Sequence, residues 1–374
     1  MEEWLKKLFK HIENPPSRPV YWQNKLTTIF IYGTGTMAEA IYRVLTDNGW
    51  PVTGFIDHME RDNPFIYGIP VYKPQDAPQT KSNNNVVILG IHNYQADLPK
   101  VIKSLNDLGF NRIVSTVELY DHLGDQLGVR YWLTSRSFYP PLASVLELLD
   151  SLWADDRSRS LYRSILEFRL TGDATLLPPP DFGTQYHPQD VPTPKEPIRF
   201  VDCGAFDGDT LSDLIKVGLP LEAVAAFEPD IANFARLKKF VLQESRLTNI
   251  LLWPCGVYSS TTQLMFETGK DMASSISESG RSMIQCIALD DAIPTFAPTL
   301  IKMDIEGAEY HALLGASRLI KDHVPELALS VYHRPEHLWQ LPMLAQRLSN
   351  GSYDFYLRSH AYNGFELVLY AIPR

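Results

Sequence analysis

The sequence predicts an α/β protein of two parallel-sheet domains joined by a helical connector. Three observations carry that reading. Apolar, β-branched runs alternate with helix-period segments from about residue 26 to 118, and again from 197 to the end. Each alternating stretch opens on a strand that breaks into a glycine turn, IFIYGTGTMAEA at 29–40 and FVDCGAFDGDT at 200–210. The 374 residues, 45% hydrophobic and 21% charged, suffice for two cores.

In chain order, residues 1–25 begin with MEEWLKKLFKHIEN, where Trp4, Leu5, Leu8 and Phe9 recur between lysines. That spacing is an amphipathic helix packing on its own domain, without the long apolar stretch of a signal peptide. Residues 26–118 form a Rossmann-like α/β domain with strands at TTIFIYG, PVTGFID, NVVILGI and RIVSTV, and helices over about 37–48 and 95–108. Residues 119–196 are the connector, helical through YPPLASVLELLDSLW and DRSRSLYRSILEFRL. They end in the proline-rich LLPPPDFGTQYHPQDVPTPKEP, extended because proline blocks both helix interiors and ladders. Residues 197–374 resume the alternation with strands at RFVDCG, AVAAFE, ILLWPCG, TLIKMD and ELALSVY, and helices near 208–217, 230–243, 308–320 and 335–349. An excursion carries the strand-like TQLMFE and MIQCIALD. The end, YDFYLRSH and FELVLYAIP joined by AYNG, has no helix between its strands and suits an antiparallel hairpin.

Composition removes several classes of function. A formal net charge of -10 argues against nucleic acid or an anionic membrane as general partners, since phosphate binding needs a cationic surface. No run approaches the ~20 apolar residues of a membrane span. Cys203, Cys255 and Cys286 lack any CxxC spacing and read as buried thiols of a cytoplasmic protein. A homodimer stays open.

The second glycine turn carries the more specific chemistry. Asp202, Gly204 and Gly208 fall at the carboxyl end of the domain's first strand, where open parallel sheets bind ligands, and Glu228 ends the next strand, placed to accept from ribose hydroxyls. The turn lacks the second glycine of a dinucleotide motif, and Asp202, Asp207 and Asp209 surround it. Those acids would repel a pyrophosphate and suit a cofactor with a cationic centre and an ammonium group, as S-adenosyl-L-methionine has.

DCGAFDGDT, FEPD, LDD at 289–291, IKMDIEGAE at 301–309, VYHRPEHLWQLP at 331–342 and the closing YLRSH and ELVLYAIP together resemble the FkbM family of class I methyltransferases, in that family's order over nearly the whole of 197–374. The resemblance implies a Rossmann-like methyltransferase sheet of seven strands, one of them antiparallel, preceded by the smaller Rossmann-like domain. It implies methyl transfer from S-adenosyl-L-methionine to a hydroxyl oxygen of a sugar, polyketide or glycoconjugate, so that the partner is a small-molecule or glycan acceptor. Gly204, Ala205 and Gly208 would line the methionine end and Glu228 the ribose. Where many class I enzymes carry an acid after the third strand, this chain has PCGVYSS, which leaves backbone near Gly256 and Val257 to meet adenine.

An oxygen nucleophile must lose a proton, and His333 is the candidate base, its ordinary pKa of ~6.5 suiting neutral pH. Asp304 either orients His333 or binds a metal; Tyr332 and His333 stand where a Mg²⁺ site would need an acid and an asparagine, so no metal is expected. Glu306 and Glu309 open a helix, where acids stabilise the dipole without a catalytic role; for Glu309 the alternative is a contact with substrate. Arg358 and His360 meet substrate or solvent, and Tyr186 is part of a lid or ordinary packing.

The first turn, Gly33, Gly35 and Ala38 with Asp57 ending the next strand, satisfies the alanine-ending dinucleotide fingerprint. Three readings follow: an NAD site, a sugar-nucleotide or substrate-presenting module, and a structural or dimerising remnant, the first ranked below the other two. His92 and Asn93 follow the third strand and could line the same crevice. The competing functions for the whole chain are therefore an NAD-dependent oxidoreductase and a sugar-nucleotide-binding protein with an inactive methyltransferase domain.

Overall fold

The computed structural model describes residues 2–13, 28–59, 62–78, 85–183, 185–192, 195–267, 275–276 and 282–374. Residues 14–25 of the expected N-terminal segment 1–25, and residues 184, 193 and 194 of the proline-rich stretch, lie outside these. The chain forms two compact units: unit 1 comprises Met1–Asp150, Ser160–Pro180 and Ala361–Phe365, and unit 2 comprises Ser151–Arg159, Asp181–His360 and Glu366–Arg374. No described helix is long and apolar enough to cross a membrane.

Unit 1 starts with α1 (Glu3–Glu13), which buries Leu5, Leu8 and Phe9 at the expected spacing. Its six strands are β1 (Thr28–Tyr32), β2 (Val52–Ile56), β3 (Phe65–Ile66), β4 (Ile69–Tyr72), β5 (Asn85–Leu89) and β6 (Ile113–Val114), in the order β3-β4-β2-β1-β5-β6. All pairs are parallel except β3 with β4. Chain direction across the sheet reverses between β1 and β5, the place where such sheets form a crevice. Four helices follow in sequence: α2 (Thr36–Asp47), α3 (Leu98–Asp107), α4 (Thr116–Leu127) and α5 (Ala143–Asp150); α6 (Asp156–Thr171) has all but its first four residues in this unit.

Two boundaries differ from the sequence reading, each for a local reason. The third helix begins at Leu98 rather than near Gln95, because Asn93 Oδ1 accepts from the amides of Gln95 and Ala96 and Asp97 then caps the helix by accepting from Lys100 N. The run RIVSTV is strand only over 113–114. Ser115 accepts from Glu118 N and starts α4, a capping pattern present in the sequence and overridden there by the β-branched residues.

Unit 2 is built on β7 (Ile198–Cys203), β8 (Leu221–Phe227), β9 (Ile250–Trp253), and a small sheet of β10 (Gly256–Val257), β11 (Thr262–Glu267), β12 (Ser275–Ile276) and β13 (Ser282–Ile287). The main sheet is completed by β14 (Leu300–Met303), β15 (Glu326–Ser330), β16 (Tyr353–Ser359) and β17 (Leu367–Pro373). Its seven strands run in the order β16-β17-β15-β14-β7-β8-β9, with β17 alone antiparallel to its neighbours. The closing pair β16 and β17 is the expected hairpin, and β11 with β13 are the strands expected in the excursion.

The central strands are buried on both faces, which is why they read as continuous apolar runs. Helices α7 (Asp209–Lys216) and α8 (Ile231–Gln243) cover one face, where Leu211, Leu214 and Leu237 pack on Phe200, Val224 and Leu300. Each such side chain stabilises the fold by about 1.5–3 kcal/mol. On the other face Tyr186 and Val191, from the proline-rich segment, pack on Ala328, Val368 and Tyr370. After the short α9 (Leu289–Ala292), the helix expected over 308–320 is in fact two, α10 (Glu309–Leu314) and α11 (Ser317–His323), before α12 (His337–Leu348). The break falls at Gly315, where an added Cβ would lie 2.1 Å from the Tyr258 carbonyl oxygen. The close approach requires glycine and bends the chain out of helical register.

Candidate active site

The carboxyl ends of β7, β8, β14 and β15 converge on one crevice of unit 2. After β7 the chain turns with Gly204 at φ 80°, Phe206 at φ 47° and Gly208 at φ 94°, three left-handed residues in five. Gly204 has no substitute: its missing Cβ would sit 2.1 Å from the Asp304 carbonyl oxygen. Gly204 N and Ala205 N both donate to Phe227 O at 3.0 Å, which ties the turn to the end of β8. Ala205 is fully buried, and Gly208 caps α7 with no side chain across its first amides.

Glu228, at the end of β8, is buried and holds the turn from the other side. Its Oε2 accepts from Phe206 N at 2.9 Å and its Oε1 from Asp230 N at 2.8 Å. Burial outweighs these bonds and pushes its pKa up to about 7. Asp202 faces inward beneath the turn, fully buried, with its Oδ1 3.1 Å from the ammonium of Lys302. Burial raises it to about 6 against the pull of that ammonium. Gly256 and Val257 lie in β10, paired with Cys286 and Ile287 of β13, so the ladder already engages their backbone.

Lys302 was not singled out from the sequence, where it reads as one polar residue in a strand. The structure buries it in β14, with Nζ donating to Gly204 O at 2.6 Å and lying 5.3 Å from the ring centre of Tyr186. Burial alone would lower its pKa, but the charges of Asp202, Asp304 and Asp209 raise it, so the side chain stays an ammonium.

Past the ends of β14 and β15 lies a histidine among carboxylates. His333, buried just past β15, has Nδ1 2.7 Å from Glu309 Oε1, and Nε2 3.3 Å from Asp304 Oδ1 and 3.7 Å from Glu306 Oε2. Burial lowers the imidazole pKa, yet Glu309, Glu306 and Asp304 overcome it and hold the ring protonated to about 10. The same charges, read from the other side, keep Glu309 down at about 2 despite its burial. Glu306, buried beside further acids, rises to about 8, and its backbone sits at φ 54°, a strained conformation for a side chain of that size.

Glu309 is therefore not simply a dipole-stabilising residue. Its Oε1 also accepts from Ile305 N at 2.9 Å, bracing the loop that carries Asp304 and Glu306, and its Oε2 lies 3.3 Å from His337 Nδ1. Glu366 joins from the start of β17, accepting from Tyr332 Oη at 3.0 Å and Gln185 Nε2 at 2.6 Å. Tyr186 donates to Asp304 Oδ2 at 2.8 Å. Arg358 and His360 are buried from solvent: the first lies against Asp155, Asp190 and Ser158, and the second bonds Asp181 O and Tyr370 Oη.

Ligand atoms of Asp304, Glu309 and His333 all lie within 4.8 Å of one another, a spacing a cation could bridge. The Nδ1 to Oε1 contact is a hydrogen bond, and a shared proton accounts for it.

In unit 1 the first turn is formed as expected, with Gly33 at φ 100° and Gly35 capping α2. Asp57, however, is engaged from within the chain. Its Oδ2 accepts from Thr34 Oγ1 at 2.5 Å and its Oδ1 from Met59 N at 2.9 Å.

A seven-stranded sheet with the single antiparallel strand β17, loaded at its carboxyl edge with glycines and acids, defines the class of Rossmann-like methyltransferases. Within the sequence, residues 202–363 match the model described as the methyltransferase FkbM domain. Among solved structures, methyltransferase FkbM from Methylobacillus flagellatus shares the fold across 99% of this chain and 98% of its own, at a TM-score of 0.81 and 24% identity. Fibrillarin from Aeropyrum pernix, crystallised with natively bound S-adenosyl-L-methionine, aligns over 49% of this chain and 70% of its own at a TM-score of 0.32 and 12% identity. No curated protein matches the sequence.

Proposed function

We propose that unit 2 is an S-adenosyl-L-methionine-dependent O-methyltransferase acting on a hydroxyl of a small-molecule or glycan acceptor. The observation that carries the reading is the acidic crevice between Glu228 and His333, reached by a glycine turn that leaves no room for side chains. The donor set fits the cofactor: Glu228 has lone pairs beyond those its two backbone amides use and would take the ribose, while Gly204, Ala205 and Gly208 bring backbone close to the methionine end. Asp202 and Lys302 act from beneath, fixing the turn. When bound, S-adenosyl-L-methionine supplies an electrophilic methyl group on a cationic sulfur.

His333 removes the acceptor's proton at Nε2, and Glu309 holds the ring by Nδ1 so that Nε2 faces Asp304. Methyl transfer then forms an O–C bond as the S–C bond breaks, and the hydroxyl proton resides on the imidazole. A ring held protonated to about 10 must first give up its own proton. A base must be deprotonated to act, so the raised value moves the rising limb of the pH profile of kcat/KM above neutrality.

His333→Ala tests the assignment. Turnover with an accepted substrate should fall by ~10²–10⁴-fold while S-adenosylhomocysteine binds as in the wild type. An unchanged rate removes His333 from the reaction. Dialysis against a chelator should leave activity intact, because His333 Nδ1 and Glu309 share a hydrogen bond that needs no cation; full loss, restored by Mg²⁺, contradicts the metal-free site.

A further inference from the structure

The turn after β1 has the parts of an anion site, and they converge from separate segments of unit 1. Helix α2 is capped by Gly35 with no side chain bonded to its first amides, and its first internal bond runs from Glu39 N to Gly35 O. The amides of Thr36, Met37 and Ala38 therefore have no partner within the helix. The end of β5 lies against this turn: a Cβ on Gly33 would sit 3.1 Å from Ile91 and 3.2 Å from the Gly90 carbonyl oxygen, and one on Gly90 would meet Ala38.

One side chain from elsewhere reaches the turn, and a second is tied to it by charge. Arg130 donates from Nη2 to Thr36 O at 3.3 Å, which anchors a guanidinium at the start of α2 with its remaining N–H groups in reserve. His92, two residues beyond Gly90, is kept neutral by burial and, after it, by the charge of Arg130, and its Nε2 is buried with no hydrogen-bond partner among the described residues. Trp132, whose ring centre lies 5.3 Å from that of His92, is 1% exposed and likewise has an unbonded Nε1. Buried donors of this kind are costly unless something accepts from them.

We propose that this turn binds the phosphate group of a phosphorylated ligand, held by the first amides of α2, the Arg130 guanidinium and the His92 imidazole. A helix N-terminus with an adjacent arginine favours a dianion twice over, by dipole and by charge. The site lies wholly in unit 1 and does not depend on the methyltransferase reading.

The test is calorimetric titration of the full chain with inorganic pyrophosphate and with UDP, in the presence of saturating S-adenosylhomocysteine so that any adenosine site elsewhere is filled. Gly35→Asp puts a carboxylate at the helix start, where an added Cβ meets nothing within 4 Å and aspartate is a favourable cap. The variant should melt no lower than the wild type yet lose pyrophosphate affinity by at least about tenfold, and Arg130→Ala should lose a similar factor. Absence of binding by either probe at millimolar concentration overturns the proposal, as does equal affinity in the wild type and both variants.

Discussion

At the level of single residues, unit 2 is governed by charges that have been buried together. Lys302 and Asp202 illustrate it: each alone would be intolerable at their depth, and 3.1 Å apart they sustain one another beneath the Gly204 turn. Removing one partner is then far worse than removing both. Lys302→Met should cost about 3–5 kcal/mol in urea unfolding, and the double variant Asp202→Asn, Lys302→Met should recover most of it. A double variant as unstable as the single would show that Lys302 acts through the Gly204 carbonyl alone. None of this is visible in IKMDIEGAE as text, because the pairing joins residues 100 apart across β7 and β14.

Among the secondary-structure elements, the turns decide what the strands can offer. The sequence revealed the sheet through its alternation of strand and helix periods, and it marked the strand ends at Asp202, Glu228, Asp304 and His333, since acids and histidine after apolar runs are legible one strand at a time. It did not reveal that Glu309 reaches back to His333, or that Glu366 arrives from the far end of the chain, because both are meetings between elements. The break at Gly315 was hidden for the same reason: the cause is a carbonyl from another segment. Gly204→Ala tests the turn itself. With φ at 80° and a carbonyl in the way, the variant should lose several kcal/mol, about 1–2 from the backbone conformation and the rest from displacing Asp304, and should lose cofactor binding with it. A variant that melts and binds as the wild type would mean the Asp304 loop is free to move.

For the molecule as a whole, the buried acids set a pH dependence of stability. Asp202 at about 6, Glu228 at about 7 and Glu326 at about 8 all titrate above their ordinary range, chiefly through burial, and His333 at about 10 lies above its own. A group whose pKa is raised on folding stabilises the fold below its unfolded value, and that contribution is lost as pH climbs through the folded value. Stability should therefore decline from about pH 4, where these carboxyls ionise in the unfolded chain, to about pH 10, where His333 loses its proton in the folded one. Glu326 isolates the effect, since it is the first residue of the interior strand β15, at the opposite end of that strand from His333, and burial alone shifts it. Glu326→Gln should leave the melting temperature nearly unchanged at about pH 5 and raise stability by about 1–3 kcal/mol at pH 9. An equal shift at both pH values would mean that Glu326 does not titrate in that range.

The central claim is that the acidic turn of unit 2 holds S-adenosyl-L-methionine with Glu228 on its ribose. Titration calorimetry of the full chain with S-adenosylhomocysteine, repeated on Glu228→Ala, tests it most directly. The account predicts binding by the wild type and a loss of roughly 1.5–3 kcal/mol in the variant. No binding by the wild type, or the same affinity in both, would contradict it.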